Sequence, residues 1–467
     1  MTNQLNEGDV LMPKELTLED QNIKRVLFKL SGPATVGMLV MSLYNVVDTV
    51  FIGRGVGTAG IGGVAIAFPI MMIVGAIGQM IGIGGASLLS RRLGAKDLST
   101  ANKTLGNVIA SVAVLSLPII FLGFLYMNSM LRLFGATETL LPYAREYMQF
   151  ILPGIFMHSL AMALNNLVRA EGNAKVAMFT MILSAVTNII LDAVFIFGLN
   201  MGIRGAALAT LIAYITAGLF LILYYLSGRS ILTIRVRDIR FEYAIQKEII
   251  AIGISVFVRH TAMSLLVILL NNTLGKYGGD TAIAVYGVIM RLMMMIFTPI
   301  MGIAQGLQPV AGYNYGAKDY IKVKESVVLA TIASTMIATA GTLIIMLFPQ
   351  SLLRAFSDDA ELLRIGGGAL RYIVLAFPIL GFQLMGTTLF QALGKATQTF
   401  ILTLSRQILF LIPLVVILPR FFQLTGVWIS FPIADVLSTA LTVWMLIPLR
   451  NQLDRSMNLS MEECHEK

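Results

Sequence analysis

Of 467 residues, 57% are hydrophobic and only 13% charged, and at a mean hydropathy of +0.81 this is more apolar surface than a soluble core of that size can hide. The formal charge of +9 lies mostly in short loops and tails between apolar stretches, which excludes a nucleic-acid binder and implies a polytopic membrane protein. The single cysteine, Cys464, excludes an intramolecular disulfide and any cysteine-based metal cluster.

Residues 1–22 are polar and mildly acidic, so no cleavable signal peptide is expected, and the first span serves as its own insertion signal. Twelve charge-poor segments follow, at 28–53, 58–90, 104–131, 143–168, 176–198, 205–228, 249–275, 281–312, 326–352, 365–391, 396–419 and 425–449. Each is long enough for the roughly 20 helical residues that cross a bilayer, and the fold class is therefore all-α. Pro33, Pro69, Pro118, Pro153, Pro299, Pro378, Pro413 and Pro432 mark expected kinks. With the N-terminus inside, inner loops and tails carry 22 Lys and Arg against 8 outside, which predicts two cytoplasmic termini.

The two halves repeat. Gly94-Ala95-Lys96-Asp97 recurs 222 residues later as Gly316-Ala317-Lys318-Asp319; at the same offset Leu131-Arg132-Leu133-Phe134 matches Leu353-Arg354-Ala355-Phe356, and Gly172-Asn173-Ala174 matches Gly394-Lys395-Ala396. Six spans per half make the repeat parallel, with a cavity between the halves, which is the architecture of an alternating-access carrier. The expected organisation is a tail over 1–24, a six-helix lobe over 25–228, a basic cytoplasmic linker over 229–247, a second lobe over 248–450 and a tail over 451–467.

Within the first half two carboxylates stand out. Asp192 is the only charge in the 28 residues from 176 to 203, and Ser184, Asn188 and Asp192 fall at i, i+4 and i+8 on one helix face. Asp48 follows Tyr44 and Asn45 by about one turn in the first span. An ionisable group inside a spanning helix costs roughly 3 kcal/mol to insert, so a proton or cation site outweighs simple packing glue as the reason for keeping two. Asn165 and Thr210 offer neutral oxygens to that site, with Tyr44 and Asn45 as accessory polar groups. The second-half spans contain Arg259, Arg291, Arg371 and Arg406, His260 and one carboxylate, Asp435, read as an ion-pair partner for an arginine or as an accessory polar group. Arg406 is expected near the cytoplasmic surface. The glycines at 82, 84 and 85 read as close helix packing, and His158 and His260 lack metal spacing. The 27 methionines, including Met293-Met294-Met295, and Phe68, Phe156, Phe297 and Phe382 suit a loose cavity for bulky compounds, although core packing explains any one of them as well.

YNVVDTVFIGR in the first span, SRRLGAKD after the second, GYNYGAKD after the eighth, and VRAEGNAK, TNIILDAVFIFGLNMGIRGAALAT and FQALGKA elsewhere resemble the multidrug and toxic-compound extrusion (MATE) transporters over residues 25–450. The resemblance is strongest to the DinF-like branch and the MepA-like multidrug efflux pumps within it. It implies a cation-coupling cluster of Asp48, Asn165, Asn188, Asp192 and Thr210. Unlike NorM-like relatives, the seventh and tenth spans hold no acid, and Ser255 stands where the branch has a proline, leaving a bend there in question. The expectation is a monomeric antiporter of a prokaryotic cytoplasmic (inner) membrane, neither an enzyme nor cofactor-dependent, with membrane lipids and lipophilic or cationic drugs as partners and no nucleic acid. H⁺ or Na⁺ would be the coupling ion, with Na⁺ held at Asp48, Asp192 and Asn188. The alternative is a flippase for a lipid-linked precursor.

Overall fold

The computed structural model describes residues 17–356 and 358–465; residues 1–16 of the expected N-terminal tail and 466–467 of the C-terminal one lie outside the described residues. The first half comprises α1 (Ile23–Gly55), α2 (Thr58–Gly94), α3 (Leu98–Leu125), α4 (Leu141–Ala170), α5 (Ala174–Asp192, running on into a π-helical turn over Ala193–Gly198) and α6 (Ile203–Leu226). In the second half a helical stretch over Tyr243–Gly316 divides at Gly279 into α7 and α8, followed by α9 (Tyr320–Leu347). Two segments at 45°, Ala360–Val374 and Phe377–Ala392, form α10, while α11 joins Ala396–Leu404 to Ile412–Ile417 through a π-helical Ser405–Leu411. The last span, α12, is the part of Pro419–His465 beyond Gln423. The chain is an all-α, twelve-span membrane protein in two lobes.

The turns repeat as closely as the sequence does. Gly57 (φ 89°) separates α1 from α2 and Gly279 (φ 64°) separates α7 from α8, at positions where the left-handed backbone favours glycine. Lys96 and Lys318 share a positive φ, and the next residues, Asp97 and Asp319, accept hydrogen bonds from Thr100 N (3.0 Å) and Lys322 N (3.1 Å) as N-caps of α3 and α9. That cap holds the Asp97 carboxyl below its ordinary range.

Each lobe buries its own apolar core. One cluster draws Leu270, Leu307, Leu370 and Trp428 from the second half; another draws Leu89, Leu105, Leu164 and Leu221 from the first. Outward faces keep large apolar side chains exposed, such as Phe121, Leu223 and Leu347, as contact with lipid requires. The kinks divide by cause. Pro378 opens the second segment of α10 after its bend and Pro413 follows the π-helical turn of α11. The other six prolines sit within helix, and α7 runs unbroken past Ser255, whose Oγ donates to Ile252 O at 2.7 Å.

The lobes meet at their basic ends through close backbone contacts, with side-chain bonds beside them. A Cβ on Gly84 of α2 would lie 2.8 Å from the Ile249 carbonyl carbon of α7, and one on Gly253 of α7 would lie 2.8 Å from that of Met80. Gly94 and Gly316, an offset-222 pair, meet the carbonyl carbons of Tyr313 and Arg91 at the same distance. Because Arg91 and Tyr313 are also offset by 222, the α2–α8 crossing is its own image under the repeat. Arg91 and Arg92 reach Glu248 at 3.2 and 3.6 Å, and Ser87 Oγ donates to Gln391 O across the same junction. The connection over 229–247 folds against α3, where Asn107 Oδ1 accepts from Glu242 N at 2.7 Å; α7 already begins at Tyr243.

Candidate coupling site

Asp48 comes from α1, two turns before that helix ends, and Asp192 is the last α-helical residue of α5 before its π-helical turn. Their carboxyls lie within hydrogen-bonding range of one another. Asp192 is fully buried, and one oxygen of each carboxyl, Oδ1, is sealed from solvent without a protein donor among the described residues. Two carboxyls this close inside a spanning bundle need a proton or a cation between them.

The surrounding shell orients the pair. Asn188, one turn before Asp192, has its amide satisfied when the nitrogen faces the carboxyl: Nδ2 then donates to Asp192 Oδ2 at 2.7 Å, and Oδ1 accepts from Thr210 Oγ1 of α6 at 3.2 Å. Tyr147 of α4 lies near Thr210 and near both carboxyls; Tyr44 and Tyr214 stand close to Asp48. The His158 ring packs on Tyr214 with centroids 4.1 Å apart. Asp48, Tyr44, Asn188, Asp192 and Thr210 thus lie together in the first lobe.

Three expected members fall elsewhere. Asn165 donates to Ala177 O at 2.9 Å and its Oδ1 accepts from Arg169. It stands 18 residues beyond Tyr147 on α4, about 27 Å along the axis at 1.5 Å per residue, so its helix face gave no warning of its depth. Asn45 is exposed and donates to Met41 O one turn back. Asp435 is no accessory group of this site: it belongs to the other lobe, where it pairs with Arg406 at 2.5 Å, the ion-pair reading of the sequence. That pairing also corrects the expected position of Arg406, which sits near the middle of α11 rather than at a membrane surface. Tyr147 and Tyr214 are functional candidates that sequence reasoning missed; only the i, i+4 spacing of Thr210 and Tyr214 could have pointed to one of them.

Among the described residues no three His, Cys, Asp or Glu side chains gather as for a transition metal. Two carboxylates with amide and hydroxyl oxygens nearby are a hard-oxygen donor set, suited to H⁺ or Na⁺ as a transported ion.

The chain matches the MatE family model over residues 33–194 and 254–417. It is 28% identical over 435 residues to the multidrug export protein MepA of Staphylococcus haemolyticus, covering 93% of this chain and 96% of that one. Among solved structures it is similar to the MATE multidrug transporter DinF-BH, at 45% identity and a TM-score of 0.86 over 94% of this chain and 98% of that one. An outward-facing multidrug resistance transporter of the MATE family superposes with a TM-score of 0.87 at 27% identity, over 95% and 99% of the two chains. Twelve spans in two repeated lobes, a buried carboxyl pair in one of them, and this match along nearly the whole chain make the protein a membrane transporter of the MATE family of multidrug efflux pumps, and not an enzyme.

Proposed function

We propose that this transporter expels lipophilic cations from the cytoplasm of a prokaryote by antiport with H⁺ or Na⁺, the ion being taken up at Asp48 and Asp192. The observation that carries this reading is the carboxyl pair itself, contributed by two helices, hydrogen-bonded by Asn188 and left with sealed, unpartnered oxygens. Helix α1 supplies the mechanical link. Its far half bears Asp48, while Ser31 and Thr35 in its near half press against Gly306 and Gly302 of α8 in the other lobe. An ion bound at Asp48 therefore acts on the helix that forms part of the lobe junction, and it biases the junction only through different affinities in its closed and open states. With the basic ends cytoplasmic, the contacts around Gly84, Gly94, Gly253 and Gly316 close the cytoplasmic side. Ion binding from outside would then favour release of drug, and loss of the ion would favour return.

The Asn188 orientation bears on the choice of ion. With its nitrogen toward Asp192, the amide stabilises a carboxyl pair that shares a proton; turned about, it would offer an oxygen to Na⁺. The multidrug relatives favour a drug over a lipid-linked cargo. In proteoliposomes under separately imposed proton and sodium gradients, efflux of a fluorescent lipophilic cation should be driven by one of them and lost in Asp48→Asn and Asp192→Asn. Undiminished gradient-driven efflux by both variants would remove the carboxyl pair from the mechanism.

A further inference from the structure

The connection over 229–247 sorts its side chains by kind. Its five bases, Arg229, Arg235, Arg237, Arg240 and Lys247, are all exposed, whereas its two acids turn toward the protein. Asp238 is buried, and Glu242 is held between Lys103 of α3 at 3.5 Å and Arg240 at 3.1 Å. Arg229, Arg235 and Lys247 form no ion pair among the described residues.

This connection is fixed along the flank of α3. Thr233 N donates to Asn102 Oδ1 at 2.9 Å and Glu242 N to Asn107 Oδ1 at 2.7 Å. Between them Gly106 leaves space for the Asp238 carbonyl, which a Cβ there would strike. The 28 residues of α3 span about 42 Å, about 12 Å more than the hydrocarbon core of a bilayer. Asn107 lies about 14 Å along that axis from Leu98, so the connection descends to the edge of the hydrocarbon. Near that level Phe241 is 55% exposed and Tyr243 76%. Exposed aromatic side chains interleaved with bases suit a membrane interface.

A groove of about 320 Å³ opens at the same place, lined by Phe241, Tyr243, Gln246, Lys247, Ile250 and Ala251. Tyr243, Lys247 and Ala251 follow one another at i, i+4 and i+8, so the ammonium stands on the apolar stripe that walls the groove. Apolar walls suit an acyl chain; an unpaired ammonium beside a row of arginines suits the phosphate at its end.

We infer that the 229–247 connection is a docking surface for an anionic phospholipid of the adjoining leaflet, with an acyl chain in the groove and the phosphate at Lys247. The inference is independent of cargo and coupling ion. For the test, Trp428→Phe and Trp444→Phe remove both native tryptophans and Phe241→Trp places a single fluorophore in the groove. The full chain is reconstituted in phosphatidylcholine containing phosphatidylglycerol, with brominated acyl chains on one lipid or the other to quench the fluorophore on contact. Quenching should show phosphatidylglycerol bound about fivefold more tightly than phosphatidylcholine. Lys247→Gln with Arg240→Gln should bring that ratio to about one, and Lys247→Arg, which keeps the charge, should preserve it. The same fluorophore at Phe121, lipid-facing but far along α3, should show no preference. Equal quenching by the two lipids at position 241, a preference that survives neutralisation, or an equal preference at position 121 would overturn the docking surface. Water-like emission quenched by neither lipid would overturn it as well.

Discussion

Substituting Gly94 by Ala tests whether the lobe junction depends on backbone contact at the axis of the repeat. The new Cβ would lie 2.8 Å from the Tyr313 carbonyl carbon, whereas ordinary contact begins at 3.4 Å, so α2 and α8 must part by at least 0.6 Å there. The obstacle is backbone and cannot rotate away. Overpacking of this kind costs about 1–3 kcal/mol. Imposed on the closed junction alone, it shifts the balance between closed and open basic ends about 5- to 150-fold. The mirror substitution, Gly316→Ala, meets the Arg91 carbonyl carbon at 2.8 Å and should act alike. Spin labels at Ala95 and Ala317, both exposed and repeat-related, would report the separation of the basic ends once Cys464 is replaced by Ser. Pulsed dipolar spectroscopy should show the short-distance population shrinking in either variant, with slower efflux. Unchanged distance distributions and unchanged efflux in both would refute the junction as the closing element.

Two further perturbations separate local roles. Thr210→Val keeps the shape of the side chain but strips the hydroxyl that donates to the Asn188 amide oxygen; loosening the amide that faces Asp192 should raise the half-saturating concentration of the coupling ion about 5-fold, for a loss of about 1 kcal/mol. An unchanged ion dependence would detach Thr210 from the site. Glu171, between α4 and α5, is buried with Oε2 accepting from Ser230 Oγ at 2.5 Å, and burial pushes its carboxyl up to about 7. The folded state therefore holds this proton more tightly than the unfolded chain does. The resulting stability is complete below about pH 4.5 and is lost as pH rises through 7, on the order of 3 kcal/mol in all. Thermal unfolding in detergent should lose Tm between about pH 5 and 8 in wild type and much less in Glu171→Gln. Parallel pH profiles would contradict that assignment.

What the sequence made legible follows from how it records structure. Asp48 and Asp192 could be found because a lone charge in an apolar span is expensive, and the i, i+4 spacing tied Asn188 to Asp192. The repeat could be found because the turn chemistry of glycine and of the capping aspartates is local; Gly57 and Gly279 extend it beyond the three motifs visible in sequence. Depth was not legible. Asn165 and Tyr147 lie on one helix, yet only Tyr147 is level with the carboxyls, and no periodicity distinguishes two residues that differ in height. Arg406 was misplaced for the same reason, since its partner Asp435 is brought to it by tertiary packing of α12 on α11.

The repeat constrains backbone far more than chemistry, and this determines where coupling can reside. At the offset of 222, Asp48 corresponds to Leu270, Tyr147 to Ala369, Asn188 to Phe410 and Asp192 to Leu414. If the π-helical turn of α11 shifts the register by one, Leu411 and Val415 take the last two places, and these are apolar as well. The C lobe thus has the same fold but none of the first lobe's carboxyl site. Its own buried charge, Arg406 with Asp435, uses different positions and the opposite sign. The junction, by contrast, keeps both symmetry-related halves: Gly94 with Tyr313, and Gly316 with Arg91. On the antiport reading proposed above, a carrier that opens by rocking two lobes needs a matched hinge on each side of its axis, whereas an ion has to be sensed only once. Keeping the glycine contacts in both lobes while confining the acids to one leaves the second interior free to specialise toward the cargo.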